Sequence, residues 1–215
     1  MVPDSQTRSR KSEETRQKLL QAAEEIFIQQ GFDAARVDEI ADRTGYNKRM
    51  IYIHFGSKKG LYFEVLKENF SKILKVHQSI LRETDDPYEQ VVKLIRRHFN
   101  FLIENQGFVR LLEWQNLMNH CSREENQELT DMLADGLHEM EKILERGVRK
   151  GILRSDLEVK HLLLSVSGLC LSYAQERLLR RALGGKPISD PKYREEALCH
   201  ITKIVMEGII ARPKS

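Results

Sequence analysis

Apolar residues recur at i, i+3, i+4 and i+7 along nearly the whole chain, and no stretch keeps the period-two alternation of a half-buried strand. This pattern restricts the chain to folds made by packing helices on helices. The first helix is expected to start near Ser12, with Glu13 and Glu14 in its first turn, to bury Leu19, Ala22, Ala23, Ile26 and Phe27, and to stop at Gly31. A short second helix follows from Val37 to Thr44 and ends at Gly45. Asn47 can cap a third, in which Met50, Ile51 and Phe55 form the inward stripe and Gly56 the stop, with Ser57 placed to cap the next. Two short helices joined by a tight glycine-containing turn, after a longer one, are the pattern of a helix-turn-helix unit over about residues 36–55.

From Leu61 onward the periodic runs lengthen. A fourth helix carries Leu61, Tyr62, Val65, Leu66, Phe70, Ile73 and Leu74 to about Arg82. Asp86-Pro87 and Asp190-Pro191 each read as a cap followed by proline at the first helical position, and Ser122 with Glu125 reads as a capping box. Asp156 is expected to open the eighth helix. Within it residues 162–171, LLLSVSGLCL, are apolar almost all round and must be covered on more than one side. The ninth helix presents Ala197, Leu198, Ile201, Val205, Ile209 and the small Gly208. More apolar surface on these two helices than one protomer uses predicts a two-fold homodimer through helices 8 and 9.

The most concentrated chemistry lies in NKRMIYIHFGSKKG, residues 47–60. No acid occurs between Asp42 and Glu64, while Arg43, Lys48, Arg49, Lys58 and Lys59 all fall in that window. The whole chain carries only +3, so the positive charge is a local feature. On a helix starting at Asn47, the face opposite Met50, Ile51 and Phe55 carries Lys48, Arg49, Tyr52 and Ile53. Such a face suits a DNA major groove: Arg and Lys donate to guanine edges, Asn pairs with adenine, Tyr reaches a phosphate and Ile meets a thymine methyl. Ser57 and the first amides of the fourth helix, with Lys58 beside them, form an anion site. Arg36 stands similarly at the start of the second helix, and Arg8, Arg10 and Lys11 form a basic arm able to follow the backbone or enter the minor groove. The competing reading of each is a solvated basic face, with Tyr52 and His54 as packing residues.

The run VDEIADRTGYNKRMIYIHFGSKKGLY, with the preceding LLQAAEEIFIQQGF, resembles the DNA-binding domain of the tetracycline-repressor family of bacterial transcription regulators over about residues 14–70. The resemblance implies that Asn47, Lys48, Arg49, Tyr52 and His54 occupy the recognition-helix positions that meet bases and phosphates, and that Lys58 takes the place of a phosphate-gripping lysine. It also implies an all-helical homodimer whose C-terminal domain holds a small-molecule effector pocket. Arg36 departs from the Thr or Ser usual at that cap, and Arg49, Met50 and Ile53 depart from the commoner residues there, so the operator sequence is this chain's own.

Residues 80–215 carry no motif of comparable specificity. His98, Arg110, Trp114, Cys170, Tyr173 and Arg177 are the polar or aromatic groups set among apolar helices that a ligand pocket would use. For each the more ordinary reading is a satisfied core or interface residue. The seven histidines show no HxxxH or HExxH spacing, so no metal is expected, and no cofactor-binding glycine loop or GxSxG elbow supports an enzyme. The rivals are a helical small-molecule enzyme and a ligand-binding or protein-binding dimer without operator binding; neither accounts for the acid-free window. Three widely spaced cysteines, no apolar leader and no run near about 18 apolar residues fit a reduced, cytoplasmic protein without a membrane span. The expected architecture is all-α with about nine helices. It comprises a flexible basic arm at 1–12, a helix-turn-helix DNA-binding domain at 13–58, and a helical effector-binding and dimerisation domain at 59–215. The expected partner is a double-stranded DNA operator, from which an effector releases a repressor.

Overall fold

The computed structural model describes residues 5–80, 83–118, 120–175 and 181–211. Nine helices hold most of these described residues: α1 (Ser5–Ala34), α2 (Val37–Thr44), α3 (Arg49–Phe55), α4 (Lys58–Ile80), α5 (Pro87–Glu104), α6 (Gln106–Met118), α7 (Arg123–Arg149), α8 (Val159–Ala174) and α9 (Pro191–Ile209). The one extended pairing among them is an antiparallel bridge of Leu153 with Ile210. The all-α expectation holds, because the caps written into the sequence are made. The Asp86 carboxylate accepts from the Tyr88 amide at 3.3 Å and that of Asp190 from the Tyr193 amide at 3.0 Å, each with proline following. Ser122 Oγ accepts from the Glu125 amide at 3.1 Å while the Glu125 carboxylate accepts from the Ser122 amide at 2.6 Å, a reciprocal capping box.

Three boundaries differ from expectation. Helix α1 begins at Ser5, so residues 5–12, expected as a flexible arm, are helical; Arg10 pairs with Glu14 at 3.4 Å at the i,i+4 spacing that supports a helix. Gly31 does not end α1. It leaves helical geometry (φ 75°, ψ 176°) and the turns resume to Ala34, which makes it a kink. Asp156 does not open α8: Arg154 holds its carboxylate at 2.6 Å, and the helix starts later, with Glu158 at the cap position.

The chain divides into two compact units, one of residues up to Phe70 together with Arg110–Leu129, the other of Ser71–Val109 together with residues from Thr130 onward. The first unit thus extends past residue 58, where the sequence places the end of the helix-turn-helix domain. Its core joins Leu19, Ala23, Ile26 and Phe27 of α1, Ile40 and Ala41 of α2, Ile51 and Phe55 of α3 and Leu61, Tyr62 and Leu66 of α4. Leu111, Cys121 and Leu129 from the α6–α7 corner complete it. Phe27 and Phe32 both meet the Tyr62 ring edge-on, at 5.1 and 5.2 Å. In the second unit α5, α8 and α9 pack together, and Ile80, Leu94 and Met140 cluster against Leu163. No helix among the described residues is long and apolar enough to cross a membrane.

Candidate nucleic-acid interface

The turn between α2 and α3 is set by backbone chemistry. Gly45 takes a left-handed conformation (φ 72°) and returns its N–H to the Asp42 carbonyl at 3.2 Å, a geometry that costs a side-chain-bearing residue free energy. Asn47 then caps the next helix, as expected, its Oδ1 accepting from the Arg49 amide at 2.8 Å. Ile51 is fully buried, Phe55 nearly so, and Met50 packs partly buried beside them. With these three fixed inward, helical spacing turns the other face out: Asn47, Lys48 and Arg49 are exposed, as are Tyr52 (50%) and Ile53 (61%). Tyr52 and Ile53 thus put an aromatic ring and a branched apolar side chain on the outward face.

Ion pairing sorts the local charge. Arg43 reaches Glu25 at 2.9 Å, Lys59 reaches Glu125 at 3.7 Å, and Lys48 reaches Asp38 at 2.9 Å, a contact that ties the start of α3 to the first turn of α2. The hydrogen bond from Lys48 to Asp38 holds the Lys48 ammonium above its ordinary pKa. Arg36 and Arg49 have no ion-pair partner among the described residues. Arg36 occupies the N-cap of α2 without a side-chain cap bond, since a guanidinium only donates; the first amides of α2 thus lack a side-chain acceptor and can serve a phosphate. His54, also implied by the resemblance, is half-buried, with Nε2 enclosed and lacking a hydrogen-bond partner.

At the start of α4, Ser57 caps as expected, its Oγ accepting from the Gly60 amide at 2.9 Å. Lys58 is half-buried. Its Nζ donates to the Asp33 carbonyl at 3.2 Å and stands 4.6 Å from the centre of the Phe32 ring. Burial pushes its pKa below the usual lysine value, and the Asp33 charge partly restores it. Phe32, Asp33 and, behind them, His120 are site residues that sequence reasoning missed. No local signal marks them, because Phe32 and Asp33 meet Lys58, and His120 meets those two, only through the tertiary packing.

In the second unit, a small cavity of about 20 Å³ is walled by aliphatic side chains including Leu94, Ile95, Met140, Leu144, Leu163 and Val166. That is room for roughly one water. None of the five pocket candidates that lie among the described residues lines it. His98 lies one helical turn from Leu94 on α5 and pairs with His77, Nδ1 to Nε2, at 3.2 Å. Two neutral imidazoles sharing one hydrogen bond leave one N–H and one lone pair over; these fall on His77 Nδ1 and His98 Nε2, both buried and unpartnered. Burial pushes His77 down to about 3, with the neighbouring ring adding to it, and His98 to about 4. Cys170 is fully buried, its thiol pushed up to about 12 by that burial, and Tyr173 meets Phe99 edge-on at 6.3 Å. Arg110 is exposed and belongs to the first unit, as does Trp114, whose indole lies within 3.2 Å of where a Cβ on Gly31 would stand. Arg177 lies outside the described residues. Among those residues no three His, Cys, Asp or Glu side chains are grouped to hold a metal.

A short helix pinned by three apolar side chains, offering Lys48, Arg49, Tyr52 and Ile53 outward beside two helix N-termini, defines a helix-turn-helix DNA-binding regulator. Residues 19–65 match the family model described as bacterial regulatory proteins, tetR family, and residues 87–205 that of the tetracyclin repressor-like C-terminal domain. The chain belongs to the tetracycline-repressor family of transcriptional regulators. It is similar to the HTH-type transcriptional repressor NicS of Pseudomonas putida, 25% identical over 202 residues that cover 94% of this chain and 95% of NicS. It is also similar to the HTH-type transcriptional repressor KstR2 of Mycolicibacterium smegmatis, 31% identical over 169 residues, 74% of this chain and 76% of the relative. The solved structure of the ketosteroid transcriptional regulator KstR2 of Mycobacterium tuberculosis shares the fold, with a TM-score of 0.69 at 20% identity over 92% of this chain and 96% of that one.

Proposed function

We propose that this regulator is an effector-released repressor that binds a palindromic operator as a two-fold homodimer, in the cytoplasm. The observation that carries the reading is the outward row of α3. Each protomer sets that helix in a major groove, the two grooves being about 34–36 Å apart or a multiple of that. Asn47, Lys48, Arg49, Tyr52, Ile53 and the half-exposed part of His54 meet bases and nearby phosphates, while Arg36 and Lys58 grip the backbone at the two helix N-termini. Residues Arg10 and Lys11, both exposed, extend the basic surface along the first turns of α1.

The dimer forms through α8 and α9. Leu164 is 75% exposed on α8 and Ile204 is 47% exposed on α9, on helices whose apolar faces one protomer leaves open. Gly168 and Gly208 are exposed on the same two helices, with nothing within 4 Å of an added Cβ, which lets a partner helix approach closely. The effector enters the second unit where α5, α7 and α8 enclose the aliphatic cavity, so those helices must part to admit it. His98, one helical turn from Leu94 and paired with His77, becomes a polar handle only if the cavity widens along α5, and Cys170 and Tyr173 lie further along α8. The aliphatic walls of the cavity support an effector that is mostly apolar. Two relatives named as repressors support repression.

Selecting bound fragments from random duplexes at stated salt tests the operator claim, and affinity for the selected duplex with and without apolar ligands tests release. Coupling of about 1–3 kcal/mol is expected; equal affinities would sink the effector reading. On that duplex, Arg49→Ala is expected to relax base preference by about 1–3 kcal/mol. Lys58→Ala should weaken all sequences alike and flatten the dependence of log affinity on log salt by about 0.9. If both variants bind as the parent does, the assignment of these contacts is wrong.

A further inference from the structure

The groups behind Lys58 begin far from the helix-turn-helix in sequence. His120, in the turn between α6 and α7, places Nε2 3.6 Å from the Asp33 carboxylate and its ring 4.2 Å from that of Phe32, centre to centre. Asp33 and Phe32 are the two residues on which Lys58 rests, one through its carbonyl and one through its ring. The turn is anchored on its other side. Cys121 is buried in the core of the DNA-binding unit, the Ser122 and Glu125 capping box starts α7, and Lys59 to Glu125 and Lys67 to Glu128 tie α7 to α4 at 3.7 and 2.9 Å.

This arrangement bears on how a lysine grips a phosphate. A free lysine side chain loses much of its rotamer freedom when it is immobilised. Lys58 is held before DNA arrives. Its ammonium has three N–H donors, of which the Asp33 carbonyl takes one, leaving two for phosphate oxygens. The direction of those two follows from where Phe32 and Asp33 stand, and His120 packs on one and lies within ion-pair distance of the other.

We propose that His120 is a positioning residue for operator binding: by holding Asp33 and Phe32 it keeps Lys58 aimed at the DNA backbone. The α6–α7 turn then contributes to the electrostatic part of operator affinity without touching DNA. This rests on the assignment of Lys58 to a phosphate.

The test is a double-mutant cycle on the full chain, reading the salt dependence of affinity for the duplex selected from the random pool. His120→Leu keeps bulk against Phe32 and removes the nitrogen facing Asp33, and is expected to flatten the slope by about 0.9, as Lys58→Ala does. Over a fourfold rise in salt that is about a threefold smaller loss of affinity. The double variant should be no flatter than Lys58→Ala alone. His120→Gln, whose amide can still donate toward Asp33, should restore the parent slope, which a merely structural role would not predict. A parent-like slope for His120→Leu, additive flattening in the double variant, or a flattened slope for His120→Gln overturns the proposal while leaving the Lys58 contact in place. A parent-like slope for Lys58→Ala removes the phosphate contact itself, and the proposal with it.

Discussion

Gly60→Ala is expected to destabilise the DNA-binding unit by about 3 kcal/mol and to abolish tight operator binding. A Cβ at Gly60 would lie 2.2 Å from the Phe55 carbonyl oxygen. The oxygen is backbone and the position of a Cβ is fixed by the backbone that carries it, so no rotamer change relieves the clash; the end of α3 and the start of α4 must move apart. Alanine's better helix propensity returns only about 1 kcal/mol, so the clash decides the sign. The same junction carries the Ser57 cap and Lys58, and its other side fixes Phe55 in the core, so the displacement reaches both the phosphate grip and the recognition helix. Chemical denaturation and duplex titration of the variant check this. Unchanged midpoint and affinity would mean that α3 and α4 do not meet as described.

Acidification is expected to weaken the second unit through the His77 and His98 pair. Their folded pKa values lie below the ordinary value of 6.5, at about 3 and about 4, because burial disfavours the charged rings. Below about pH 6.5 the unfolded chain therefore binds protons that the folded one refuses, and stability falls as pH falls. Above that pH both states are neutral and the pair contributes no slope. The loss levels off only as pH approaches the depressed folded values. At about pH 5 it amounts to about 2 kcal/mol for each imidazole. Denaturation midpoints between neutral pH and about pH 5 measure it, and His77→Leu combined with His98→Leu should remove that part of the slope. A slope unchanged by the double substitution would show that other groups carry the acid sensitivity.

Much of this molecule is legible along the sequence because its signals are local. The bounds of α2, the caps at Asp86, Ser122 and Asp190, and the inward stripe of Met50, Ile51 and Phe55 all depend on residues within two turns of each other. Where structure and expectation part, a contact outside the pattern being read decides. Asp156 is as good a cap as Asp86, but Arg154, two residues away, captures its carboxylate first. Gly31 has the freedom to end a helix, yet the chain resumes its turns because Phe32 still packs against Phe27 and Tyr62. The +5 window reads as a free positive field only while the acids that neutralise it, Glu25, Asp38 and Glu125, lie outside the segment being read.

By itself the sequence determined that the chain is helical, that residues 36–55 form a helix-turn-helix, and which side chains of the third helix face outward; periodicity and capping act over a few residues, so a linear reading contains them. Only the tertiary structure decided that Arg110–Leu129 joins the core of the DNA-binding unit, that Trp114 packs on a kink of α1, that His77 and His98 share a hydrogen bond, and that Lys58 rests on Phe32 and Asp33 with His120 behind them. Those contacts join residues dozens of positions apart. Which of them form depends on the docking of whole helix faces, and the total burial of several helices, not any local pattern, selects it.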